Sequence, residues 1–158
     1  MPTVRRSTHL QLELQVGKLL DQEQIVMNIQ ANTRFKITRW DEIPFSEVEG
    51  AGKLTKASIT KAFEGDVSGE STLEYLMSYN RDGSASFVGY ERIKGRVGER
   101  SGSFVLKHEG TYDGSEARST YTVVANSGTG ELSGIQGGGH SRVGHAEEHS
   151  MTFEFDLP

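Results

Sequence analysis

The chain has 158 residues, no cysteine and a formal net charge of −5 from 17 basic and 22 acidic side chains. That length fits one domain with its own core, and the lack of cysteine excludes disulfides and thiolate catalysis, so a cytoplasmic location is expected. No basic stripe gathers to neutralise phosphates, which excludes sequence-independent binding to nucleic acid, and no apolar run reaches the roughly 18 residues of a membrane helix.

Residues 1–30 stand apart as an N-terminal extension. Leu10, Leu12, Leu14 and Val16 alternate as in a strand, while Leu12, Val16, Leu19 and Leu20 fit one face of a helix; both readings stay open. Arg5 and Arg6 have no apolar block behind them, so the segment does not read as a signal peptide. Met27 is an alternative start, because the regular pattern begins just after it.

Residues 31–158 read as a single all-β domain. The 19 glycines of the whole chain, against 3 prolines, are scattered with Ser and Thr in the manner of tight turns between strands. A first strand is expected over residues 31–40 and a second from Leu54 to Glu64. A turn through Arg81, Asp82 and Gly83 then pairs Tyr79 with Ala85, Met77 with Phe87, Tyr75 with Gly89 and Leu73 with Glu91. A turn at Val97-Gly98 pairs Glu91 with Phe104, Gly89 with Leu106 and Phe87 with His108. Asp113-Gly114, the strongest two-residue turn signal, pairs Gly110 with Ala117, His108 with Ser119, Leu106 with Tyr121 and Phe104 with Val123. A last strand is expected over about Ser141 to Leu157.

Side chains alternate faces along a strand, and these pairings send one set inward: Leu73, Tyr75, Met77, Tyr79, Phe87, Glu91, Phe104, Leu106, His108, Tyr121 and Val123. The other face carries Val88, Tyr90, Ile93, Val105, Thr120, Thr122 and Val124. It is partly apolar, so a subunit partner or the N-terminal segment is expected to cover it. Long strands with no helical run between them predict an antiparallel, about eight-stranded closed barrel, because closure removes exposed edges.

Three groups of residues could carry chemistry. Glu91 and His108 are the candidate catalytic pair: a carboxylate in an apolar interior and an imidazole suit acid–base work. The register puts Glu91 opposite Phe104 with His108 two pairs further along, so contact does not follow from it. The structural alternative pairs Glu91 with Arg92 or Arg118 and leaves His108 as a satisfied core group. Tyr75, Tyr79, Phe87, Phe104, Leu106 and Tyr121 form a candidate ligand cage or, equally, the core itself. Gly89, between Tyr75 and Leu106, removes a side chain from the inner wall. His145, Glu147 and His149 alternate on the last strand and form a weak candidate metal site without visible supporting partners, so no metal is assigned; His140 falls on the opposite face. The stretch Gly128 to Gly139 lacks the Gly-Lys-Ser/Thr ending and following helix of a phosphate loop, and no cofactor motif or Gly-x-Ser-x-Gly elbow occurs.

Gly69 to Tyr79 (GESTLEYLMSY), Asp82 to Arg92 (DGSASFVGYER) and Gly98 to Gly110 (GERSGSFVLKHEG) resemble the bacterial family catalogued as domain of unknown function 3224, over about residues 31–157. Members of that family are similar in fold to the plant allene oxide cyclase barrel. Gly128 to Gly137 (GTGELSGIQG) is similar to a glycine stretch of allene oxide cyclases and dirigent proteins, which marks the fold rather than a catalytic motif. The resemblance implies an eight-stranded barrel whose interior holds a small apolar molecule, and a homo-oligomer (dimer or trimer). It brings no catalytic residue and no cofactor. The expected function is therefore binding of a small apolar or lipid-like molecule. The alternatives are a cofactor-free isomerase or cyclase using Glu91 or His108, and a non-enzymatic oligomeric scaffold.

Overall fold

A computed structural model describes residues 26–158; the strand and helix readings of the N-terminal extension at residues 10–20 lie outside them. Nine strands follow in chain order: β1 (Met27–Ser46), β2 (Leu54–Gly65), β3 (Val67–Tyr79), β4 (Ala85–Val97), β5 (Arg100–Tyr112), β6 (Ala117–Val123), β7 (Thr129–Gly130), β8 (Gln136–Val143) and β9 (Glu148–Leu157). β1 opens at Met27, four residues ahead of the expected start of the barrel, and residues 27–30 pair with β9. Among the described residues there is no helix long and apolar enough to cross a membrane.

Every strand pairing is antiparallel. Successive strands neighbour one another from β1 to β6, then β8 and β9, and β9 pairs back onto β1. The result is an eight-stranded closed up-and-down barrel, with the two-residue β7 added on β5. Closure gives each inner strand partners on both sides, which leaves few free edges for foreign chains.

The Tyr79–Ala85 register is as the turn arithmetic gives it. The next two registers differ by two residues: Glu91 faces Leu106 and His108 faces Gly89 across β4–β5, and His108 faces Tyr121 across β5–β6. The β4–β5 turn falls on Gly98-Glu99, where Gly98 takes φ +60°. The β5–β6 loop spans residues 113–116, because the Asp113 carboxylate accepts from the Ser115 and Glu116 backbone N–H groups at 2.9 and 2.8 Å and so folds a longer loop than a two-residue turn. An even slip preserves the faces, so the inward set stays inward. Ile93 is corrected: it shares the parity of Phe87 and Glu91 and is buried, not on the outer face. The single last strand is also corrected to a hairpin, β8 and β9, broken at residues 144–147.

The interior divides into two halves. In the lower half, Phe104, Leu106, Tyr121, Phe153 and Phe155 pack into one continuous core with Val67, Val97 and Leu157. Phe153 stacks on Phe155 at 4.9 Å, and Phe104 meets Phe155 edge-on at 5.5 Å. The glycine stretch forms a corner whose Leu132 and Ile135 are buried as a plug at this end. The upper half holds a smaller cluster that includes Ile59, Leu73, Tyr75, Met77 and Phe87, and it is not filled.

Candidate functional site

Glycine shapes the upper wall. Gly89 faces Tyr75 and Gly110 faces Phe87 across adjacent strands. A Cβ on Gly89 would lie 2.6 Å from the Tyr75 ring, and one on Gly110 would lie 2.3 Å from the Phe87 ring. Each ring therefore lies flat over its glycine, and these two rings pack on each other at 4.7 Å. The space that Gly89 vacates is thus taken by the Tyr75 ring rather than left open.

Inside this wall lies a cavity of about 460 Å³. Met77, Tyr79, Phe87 and Tyr112 line one side, and Phe35, Ile37 and Trp40 the other. Its mouth is flanked by the β8–β9 loop at Gly144 to Ala146 and by β1, which runs past the end of its pairing with β9 at Lys36. A bulge at Thr38 shifts the β1–β2 register by one residue, so Trp40 and Glu42, rather than Arg39 and Asp41, turn toward the barrel. At this rim the Glu42 carboxylate accepts from Tyr79 Oη (2.5 Å), Thr55 Oγ1 (2.8 Å) and Trp40 Nε1 (3.0 Å). Partial burial would raise the Glu42 pKa, but these donors hold it below the usual carboxylate range.

A polar network sits beneath the cavity. The slipped register brings His108 diagonally beside Glu91, and His108 Nε2 lies 2.8 Å from Glu91 Oε1. The other carboxylate oxygen accepts from Ser71 Oγ at 2.6 Å and pairs with Lys61 Nζ at 3.4 Å. Tyr75 Oη lies 3.3 Å from His108 Nδ1. Lys61 Nζ also sits over the Phe35 ring, 4.4 Å from its centre. Glu91 is 0 % exposed, His108 1 % and Lys61 6 %, so the network is dry apart from the cavity above it. The alternative pairing of Glu91 with Arg92 or Arg118 is corrected: Lys61, Ser71 and His108 hold it.

Charge states follow from this geometry. Burial alone would push the Glu91 carboxyl up, but the Lys61 ammonium, then the His108 and Ser71 hydrogen bonds, hold it well below the ordinary range. Burial pushes the His108 pKa down, and the opposing pull of Glu91 does not restore it. Burial, then the Glu91 charge, pushes the Tyr75 hydroxyl up. The resting site is thus a carboxylate, a neutral imidazole and a protonated phenol. In that state Nε2–H donates to Glu91, and Nδ1 accepts from the Tyr75 O–H.

Of the expected ligand cage, Tyr75, Tyr79 and Phe87 line the cavity, as does His108. Phe104, Leu106 and Tyr121 do not; they belong to the packed lower half, where Tyr121 Oη donates to the His140 carbonyl at 2.7 Å. Glu91 lies behind the wall, reaching the cavity only through Lys61 and His108. The alternation expected of His145, Glu147 and His149 is not there. His145 and Glu147 lie in the hairpin loop, and only His149 is on β9, against Phe35 at 5.2 Å. No group of three or more potential metal ligands gathers among the described residues. Sequence reasoning missed Lys61 and Ser71. The signal for Lys61 was its parity on β2, between inward Ile59 and Phe63.

Fold and site together define an up-and-down barrel with a solid floor and one hollow, aromatic-walled end. The match of residues 31–155 to the model of the family described as "Protein of unknown function (DUF3224)" shows that the chain belongs to that family. A crystal structure of a protein of unknown function from the same family, from Shewanella oneidensis MR-1, is similar at 26% sequence identity and a TM-score of 0.65, covering 84% of this chain and 98% of that one. No curated protein matches the chain.

Proposed function

We propose that the protein binds a small, largely apolar molecule in the upper cavity. The observation that carries this is the unfilled half of the interior: about 460 Å³ walled by Tyr75, Phe87, Met77 and Trp40, within the range of roughly 300–1,000 Å³ typical of ligand sites. A barrel selected only for stability would fill that volume, since an empty cavity of this size forfeits packing. The test is fluorescence titration with Nile red, a neutral apolar dye, on the wild type and on Phe87→Trp, which narrows the cavity. Saturable binding that Phe87→Trp weakens supports the proposal; no saturable binding, or equal binding by both proteins, refutes it.

The chain Tyr75–His108–Glu91 favours a second role, cofactor-free isomerisation of the bound molecule. The Tyr75 oxygen accepts a substrate proton as its own proton passes to His108 Nδ1, which leaves an imidazolium held by Glu91. The proton returns to another atom of the substrate by the same route. Deuterium incorporation into a co-purified molecule in heavy water, lost in His108→Phe, is the expected result; incorporation that His108→Phe leaves unchanged excludes it. On the outer wall, Leu76 faces Val88 next to Tyr90, and all three are exposed, which supports self-association of the barrel through this face.

A further inference from the structure

The cavity lining is biased against carboxylates, unlike the chain as a whole. The sequence carries more acidic than basic residues, 22 against 17. Among the described residues, those lining the cavity include no aspartate or glutamate, yet they include Lys61, His108, His145 and His149. The neighbouring carboxylates are Glu42 at the rim, which accepts from Tyr79, Thr55 and Trp40, and Glu91, fully buried behind the wall with both oxygens engaged. Ser119 and Ser141, paired across β6 and β8, add two hydroxyls to the lining. Lys61, His149, Ser119 and Ser141 are each at least nine-tenths buried. Lys61 Nζ and the His149 ring both lie against Phe35, at 4.4 and 5.2 Å from its ring centre.

A wholly apolar guest gains nothing from these polar groups, whereas an anion gains from the Lys61 charge. We propose that the cavity takes its guest by a carboxylate, seated against Lys61 and His149 with the Ser119 and Ser141 hydroxyls beside it, and with the apolar body against Phe87, Met77 and Trp40. This rests on the cavity being a binding site and names the chemistry of its ligand. A monoanion fits better than a phosphate, because the lining offers one lysine, partly neutralised by Glu91 at 3.4 Å, and no arginine to grip phosphate oxygens in pairs.

The experiment displaces Nile red from the full chain with decanoate, 1-decanol and methyl decanoate, which share one chain length. A charge-assisted hydrogen bond to a buried cation predicts that decanoate binds about ten- to a hundredfold more tightly than the other two. His149→Phe and the paired variant Lys61→Met/Glu91→Gln, which removes both charges together, are expected to reduce that preference while decanol affinity holds. Equal affinities for the three compounds, or a preference that survives both variants, overturn the carboxylate assignment and leave the binding site standing. Binding of neither the dye nor any of the three overturns the binding site itself.

Discussion

Glu91→Gln removes one charge from the dry network and leaves Lys61 buried without a counter-ion. Lys61 is 6 % exposed and has Glu91 as its carboxylate partner at 3.4 Å, so the neutral amide does not compensate it. Breaking a buried pair from one side costs about 3–5 kcal/mol. For a domain of this size each kcal/mol moves the thermal midpoint by about 4 °C, so a fall of about 12–20 °C is expected. Lys61→Met alone strands the carboxylate instead, with only His108 and Ser71 left to satisfy it, and is expected to cost a similar amount. The double variant Lys61→Met/Glu91→Gln removes both charges and is expected to recover most of the loss. The assay is urea unfolding of wild type, both single variants and the double variant, with the slope of each transition checked for two-state behaviour. The reasoning fails if Glu91→Gln costs less than about 1 kcal/mol, or if the two single effects simply add in the double variant.

Acidification supplies a second prediction. The folded-state pKa values of His108 and His149 both lie below the ordinary 6.5, chiefly through burial. The unfolded chain therefore takes up protons first, and stability falls as pH drops below 6.5, by up to about 1.4 kcal/mol per pH unit for each histidine until its folded pKa is reached. Urea midpoints that stay level from pH 7.5 to about 5 would contradict this. The Glu91 contribution has the same sign but lower window, lost only below its unfolded value of 4.5. Gly110→Ala puts a methyl 2.3 Å from the Phe87 ring and 2.4 Å from the Arg118 carbonyl. It is expected to cost about 1–3 kcal/mol by overpacking and to push the ring into the cavity, read as weaker Nile red binding. Val88→Glu places a charge on the apolar outer wall and is expected to give monomers in sedimentation velocity; an unchanged assembly dismisses self-association through that face.

Periodicity and turns made the barrel legible, because a period of two fixes which face a residue takes even where its partner is misassigned. The two registers that slipped did so by an even number, so Phe87, Glu91, His108 and Tyr121 kept their faces. Height along the barrel is a different matter, since it depends on loop length. A side-chain acceptor, Asp113, decided that length, and not the Asp-Gly dipeptide. In the β4–β5 hairpin, the turn at Gly98-Glu99 instead of Val97-Gly98 brings Glu91 and His108, set apart by the turn arithmetic, into contact. Height also sorts the aromatic set: Phe104 and Tyr121 share a face with Tyr75 but sit in the filled half. Lys61 was readable from its parity; the bulge at Thr38, which re-aims Trp40 and Glu42, has no comparable signature in the local sequence.

A barrel whose packed core and whose cavity occupy opposite ends has separated two demands that compete in most small domains. Substitutions around the cavity can alter its shape while Phe104, Phe153 and Phe155 continue to hold the staves in place. Relatives built on this architecture are therefore free to differ most at the residues corresponding to Trp40, Met77, Phe87 and Ser119, and a change in the shape of the cavity need not be matched by any change in the plug.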